Sequence, residues 1–208
     1  MIPPSVPATL QRLSPHLRSG ATAVTGGLAI HLHLSRDGGR LARPILDVDL
    51  VATDIDGVLP SAVDDFLVSH YHTPHEGYSK FLVQLVDHLT RLRVDIFPGG
   101  RGAIQRAARL SLGGMTVAVL ASGDVLAHKL EILGRSTPGR PVDPKHYRDA
   151  GILAQLLGRR LPEISEDHLT QDRYETDPTI ACHRCAASRN AGFTLAPKAA
   201  ILDVMGYV

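Results

Sequence analysis

Residues 46–51 read LDVDLV, and this hexapeptide constrains the chain more than any other stretch. Aliphatic residues around each acid mark a strand in a sheet interior, where residues i and i+2 share a face. Asp47 and Asp49 therefore project side by side from a rigid support. Two carboxylates held this way repel each other unless a cation lies between them. A divalent metal is the usual partner, and Mg²⁺ favours one or two carboxylates together with substrate phosphates. The rest of the chain is read relative to this pair.

With 208 residues, 44% of them hydrophobic and 21% charged, the chain suits one globular domain, or a core with a smaller appendage. Aromatic residues make up 4%, with no tryptophan, so the core has to be built from Leu, Val, Ala and Ile. The 22 basic residues balance 21 acidic ones, which gives no global field for nucleic acid and leaves a local basic groove open. Cys182 and Cys185 are too few for a disulfide framework, which points to a reducing compartment. The N-terminal MIPPSVPATL lacks the basic and apolar segments of a signal peptide. No apolar run approaches the roughly 20 residues needed to cross a bilayer. The expectation is a soluble cytoplasmic protein without a membrane partner.

Residues 6–19 have the spacing of an amphipathic helix, with Pro15 placed to break it in two. Thr22–Thr25 reads as a short strand ending at Gly26-Gly27, and GGLAIHLHL continues as a helix. Glycines at a helix start let a phosphate approach the backbone N–H groups, although a plain tight turn explains them as well. A Gly- and Arg-rich loop then leads to the acidic strand. Residues 61–70 read as a helix, and His70, His72 and His75 as a polar loop without metal-ligand spacing. Residues 81–86 and 93–97 read as an antiparallel strand pair, the second (RVDIF) placing Asp95 among apolar neighbours. An acid there is costly to bury unless paired or bound to metal, so Asp95 is a third candidate carboxylate. Arg101, Arg106 and Arg109 read as the solvated face of a short helix, or as a basic lining for nucleic acid or triphosphate. Residues 115–121 form a buried strand, and SGDVLAHKLEILG a helix carrying Lys129. Asp143-Pro144 starts another helix carrying Lys145, Arg148 and Asp149. Strands early and helices late predict an α+β fold: a mixed sheet flanked by helices, residues 1–121, then a mainly helical region, residues 122–208.

The Gly26-Gly27 turn, RPILDVDLV at 43–51 and RVDIF at 93–97 together resemble the nucleotidyltransferase-fold superfamily. DVLAHKLEIL and PKHYRDAGIL are similar to the lysine and aspartate helices of its AbiEii/AbiGii-type toxin branch, which includes the minimal nucleotidyltransferase toxins of mycobacteria. The resemblance implies a nucleotidyltransferase-like core whose active site the C-terminal helical region completes. It implies that Asp47, Asp49 and Asp95 bind Mg²⁺ or Mn²⁺ and that Gly26, Gly27, Arg43 and Lys129 bind a nucleoside triphosphate. Asp95 serves as third acid, and Asp149 supports the site. It further implies transfer of a nucleoside monophosphate to the 3′ end of tRNA, as the toxin of a toxin–antitoxin pair. Three positions depart from the pattern: Gly27 where many relatives carry serine, Ile45 where they carry threonine, and His146 in place of an acid ahead of Asp149.

Other chemistries compete. DIDGVL at 54–59 fits the nucleophile motif of haloacid-dehalogenase-type phosphatases, with Asp54 as nucleophile and Asp56 as acid/base. Ser122, Asp124 and Lys129 fit its remaining parts poorly in order and spacing. A degenerate domain acting as a binding module would have no reason to keep three clustered acids. Arg43, Arg93 and Lys129 supply the plainest alternative, a structural ion-pair network around Asp47, Asp49 and Asp95. A small molecule or a protein hydroxyl are other acceptors. The C-x-x-C at Cys182–Cys185 is at most half a zinc site, completed only if His168 folds beside it.

Overall fold

The computed structural model describes residues 2–73, 80–134 and 143–158. It divides into two compact units, Met1–Ala121 and Ser122–Val208. In the first, α1 (Ser5–Leu13) buries Val6, Leu10 and Leu13 and stops where Pro15 forces a 3₁₀ turn, Ser14–His16. Strand β1 (Thr22–Thr25) runs straight into α2 (Gly26–Arg36), whose residues Gly26 to His33 are all buried. Then follow β2 (Asp47–Ala52), a 3₁₀ turn (Ile55–Gly57) and α3 (Ala62–Asp65). Next come β3 (Phe66–His72), β4 (Leu82–Asp87), β5 (Arg93–Pro98), α4 (Arg101–Gln105), β6 (Ala108–Leu112) and β7 (Met115–Val119).

The seven strands form one mixed sheet in the order β3-β4-β5-β2-β1-β7-β6. β2 lies between antiparallel β1 and parallel β5, so the acidic strand is doubly paired and rigid. Its alternation divides the faces: Val48 and Leu50 are at most 2% exposed and pack in the core with Leu85, Val94 and Ile96, while Asp47 and Asp49 face the other way. The expected mixed sheet flanked by helices is what forms. The antiparallel β4–β5 pair also forms as expected.

Two local readings are corrected. Only residues 62–65 of the expected 61–70 helix are helical, and Phe66–His72 is an edge strand carrying His70 and His72. Pairing with β4 satisfies its backbone and suits its aromatic and β-branched side chains, overriding a weak helical pattern. His75 lies outside the described residues. Arg101, Arg106 and Arg109 do not share a helix: Arg101 opens α4, Arg106 follows its end, and Arg109 lies in β6. The signal for β6 was the Gly113-Gly114 turn, whose φ values of 57° and 85° close a tight hairpin with β7.

In the second unit, α5 (Ser122–Gly134) and α6 (Lys145–Leu157) pack against each other, burying Leu126, Leu133, Ala150 and Leu153. Pro144 stands at the N-cap of α6, one residue later than expected, and Asp143 before it accepts a 2.8 Å hydrogen bond from the Lys145 amide. Cys182, Cys185, His168 and the rest of the tail lie outside the described residues. Among the described residues no helix is long and apolar enough to cross a membrane.

Candidate active site

Register builds the site. Asp49 is the pairing partner of Asp95 on parallel β5, and of Thr25 on antiparallel β1; Asp95 pairs with Gln84 on β4. Gln84, Asp95, Asp49 and Thr25 thus form one row across four strands, each about 4.8 Å from the next. Asp47 and Arg93 are partners in the adjacent row on the same face. The three acids predicted from sequence are gathered within two neighbouring strands.

The glycine turn closes on this row. Gly26 has φ +64°, and a Cβ there would overlap the Asp49 carboxylate, lying 2.7 Å from its Cγ. Only glycine lets the turn both adopt that backbone and accept Asp49 against it. At Gly27 an added Cβ would come within 2.7 Å of Nη2 of Arg43. A guanidinium thus lies over the bare backbone of Gly27. Among the described residues no side chain caps the N-terminus of α2, and Thr25 Oγ1 is buried without a hydrogen bond. Backbone N–H groups and a helix dipole at such an end favour an anion. Gly26, Gly27, Arg43 and Asp49 are thus brought together.

Arg93 sets the electrostatics. Its Nη2 donates to Asp47 Oδ2 at 2.8 Å, and its Nε stands 3.2 Å from Asp95 Oδ1 without hydrogen-bond alignment. Oδ1 of Asp95 is buried and accepts no hydrogen bond. Burial pushes the Asp95 carboxyl above its ordinary range, and the negative charge of Asp47 adds to this, against opposing help from Arg93 and a Gln84 hydrogen bond. Charge on Asp95 is under-compensated, the condition that suits a proton acceptor or a cation ligand. The acids match a divalent cation in kind, yet in their present disposition they do not fit it. Among the described residues no group of three or more His, Cys, Asp or Glu surrounds a common point, and Asp47 and Asp95 both close on Arg93.

Sequence reasoning placed Arg93 only in the ion-pair network, set His70 aside as part of a polar loop and passed over Gln84. Gln84 was visible as the polar residue of LVQLVD, but its part depends on β4–β5 register. His70 is its partner on β3, extending the acidic row to the sheet edge, with the His72 ring 5.7 Å from its own. Asp54 and Asp56 lie beyond β2, Asp54 accepting from Thr53 Oγ1 and Asp56 exposed in the 3₁₀ turn.

Within the second unit, Lys129 Nζ forms a 2.9 Å ion pair with Asp149 Oδ2, both buried, and stands 3.4 Å from His146 Nδ1. His146 is lowered to about 4 by burial first and then by Lys129 and Lys145, so it is neutral beside the pair. An acid in its place would add a second anion beside Lys129 next to Asp149.

No family model matches the sequence, and no curated protein matches it. Solved structures do. The antibiotic-resistance factor ANT(2'')-Ia in solution aligns at TM-score 0.52 with 16% identity, covering 90% of this chain and 93% of that one. The crystal structure of ANT(2'')-Ia with adenylyl-2''-tobramycin aligns at 0.51 with 17% identity, over 79% and 91%. An antigenic nucleotidyltransferase-like protein from Paracoccidioides brasiliensis aligns at 0.41 with 17% identity, over 95% and 89%. The chain has a nucleotidyltransferase-like fold.

Proposed function

We propose that the protein transfers a nucleoside monophosphate from a nucleoside triphosphate to a hydroxyl acceptor. The observation that carries this is the row of Asp49 and Asp95 beside the Gly26-Gly27 turn, with Asp47 next to it. The acceptor oxygen attacks the α-phosphorus, the bond to the β-phosphate breaks, and pyrophosphate leaves. The hydroxyl proton goes to a carboxylate, and Asp95, with its raised affinity for protons, suits that part. The triphosphate lies along the N-terminus of α2 with Arg43 over Gly27 as its guanidinium. Mg²⁺ or Mn²⁺ is the expected cation and would neutralise charge on the phosphates. Lys129 as a triphosphate contact and Asp149 as its support belong to the same proposal through the resemblance, as does action as a toxin on the 3′ end of tRNA, held in check by an antitoxin.

A second acceptor class has its own support. ANT(2'')-Ia, whose fold is similar to the one found here, was solved in complex with adenylyl-2''-tobramycin. A small-molecule hydroxyl is therefore the alternative acceptor. The test offers each of four α-labelled nucleoside triphosphates with Mg²⁺, total RNA and an aminoglycoside panel to wild type and Asp49→Ala. Label on tRNA-sized RNA, lost in the variant, supports the tRNA reading; label on an aminoglycoside supports the second. Label on neither, with Asp54→Ala abolishing a phosphatase activity, would overturn nucleotidyl transfer.

A further inference from the structure

Arg93 occupies the place in charge that a divalent cation would take. Its guanidinium reaches Asp47 at 2.8 Å and Asp95 at 3.2 Å, on the two strands that carry all three acids. Asp47 Oδ2 is thereby used, and Asp95 Oδ1 is held beside a cation that does not hydrogen-bond to it. The grip is loose. The Arg93 side chain is 50% exposed and that of Asp47 35%, and ion pairs open to solvent at this level are weak. The residue also stands at the first position of β5, just after the hairpin turn at Arg91, where φ is +61°. Its long side chain can swing to solvent without disturbing the sheet, and a released guanidinium is a ready fork for phosphate.

We propose that Arg93 is a built-in counter-cation that competes with divalent metal for Asp47 and Asp95, so that metal enters this face only as Arg93 gives way. This rests on the reading of Asp47, Asp49 and Asp95 as metal ligands. It accounts for acids of the right kind, on the right strands, that converge on an arginine. Arg93 is in these terms a positioning residue: it sets where the carboxylates point when no metal is bound.

The experiment measures Mn²⁺ binding to the full chain without nucleotide, by the loss of the free-ion paramagnetic resonance signal. Wild type is compared with Arg93→Gln, Arg93→Lys and the double variant Arg93→Gln/Asp49→Asn. Arg93→Gln should bind Mn²⁺ roughly tenfold more tightly or better, because an opposing charge has been removed. Arg93→Lys, which keeps the charge but loses the fork, should fall between. Mn²⁺ should raise the melting temperature of Arg93→Gln more than that of wild type, and the double variant should lose the gain. Should Arg93→Gln fail to fold, tighter binding by Arg93→Lys than by wild type carries the test. Equal or weaker binding in both Arg93 variants, still dependent on Asp49, would overturn the role of Arg93 and leave the acids as the metal site. Absence of binding in every variant would overturn the acids as ligands, and Arg93 with them.

Discussion

Asp87 and Asp95 stand on adjacent strands of one sheet among similar aliphatic neighbours, and the fold treats them in opposite ways. Asp87 is fully buried, yet its carboxylate accepts from Thr9 Oγ1 at 2.9 Å, from the Leu89 amide at 2.9 Å and from the Thr90 amide at 3.5 Å. Arg12 Nε stands 3.6 Å away. Burial works to raise its proton affinity, but these hydrogen bonds outweigh burial and hold the carboxyl below its ordinary range. Asp95 is less buried, has fewer donors and another acid beside it, and is shifted the other way. Burial pushes both carboxyls up, and only at Asp87 are enough donors aimed at the carboxylate to reverse the push. A saturated acid ties α1 to the β4–β5 turn, and an unsaturated one keeps capacity for something from outside.

The largest effects follow from exchanging the two charges for amides. Asp95→Asn should lower nucleotidyl transfer roughly 10³-fold, the several kcal/mol that charge placement at such a centre supplies. Its melting temperature should hold or rise, because a strained charge is gone. Asp87→Asn should do the reverse, costing about 1–3 kcal/mol of stability through the donors left unmatched while activity at a permissive temperature persists. Equal destabilisation by both, read from urea unfolding, would break the comparison.

The glycine turn offers a sharper contrast between neighbours. Gly26→Ala places a side chain at positive φ and drives it into the Asp49 carboxylate. The backbone alone costs about 1–3 kcal/mol, and displacement of Asp49 should abolish activity as well. In Gly27→Ala the nearest atoms to the new Cβ are the far end of the Arg43 side chain, a flexible group that should turn aside. Its stability should stay within about 0.5 kcal/mol of wild type, and the KM for the triphosphate should rise with kcat less affected. If Gly27→Ala proves as unstable as Gly26→Ala, Arg43 is clamped in place and is not a movable ligand.

What was legible in the chain is what local chemistry dictates. LDVDLV announces a strand with two acids on one face, RVDIF another, and a Gly pair before an apolar helix announces a turn that a phosphate can approach. Illegible were the features that depend on pairing at a distance. That Asp49 faces Asp95 follows from parallel register between strands separated by more than 40 residues, which no local pattern encodes. The same register aims Arg93 at Asp47 and makes Gln84 and His70 members of the row. β3 was misread for a related reason. Its helical spacing is weak, and β4 supplies the hydrogen bonds that make it a strand. Arg93 was visible as a neutralising charge, but its contact with both Asp47 and Asp95 is a matter of ångströms.

The smallest expected effect is also the most specific, because it has opposite signs at the two acids. Asp87 carries a depressed folded-state pKa, so its contribution is present above the unfolded value near 3.8 and is lost as pH falls through the folded one. The cost of Asp87→Asn should therefore shrink as pH falls below about 3.8. Asp95 carries a raised pKa, so its contribution is full below that same value and is lost as pH rises through the folded one. Asp95→Asn should become progressively more stable than wild type as pH climbs above about 3.8, then level off. His31, His33 and His146, all held with lowered pKa by burial first, add acid lability of their own between about 6.5 and lower pH. They are present in every variant, so differences between variants cancel them. Urea midpoints across a pH series in chelator isolate the two acids, and curves that bend the same way would mean that Asp95 is as saturated as Asp87.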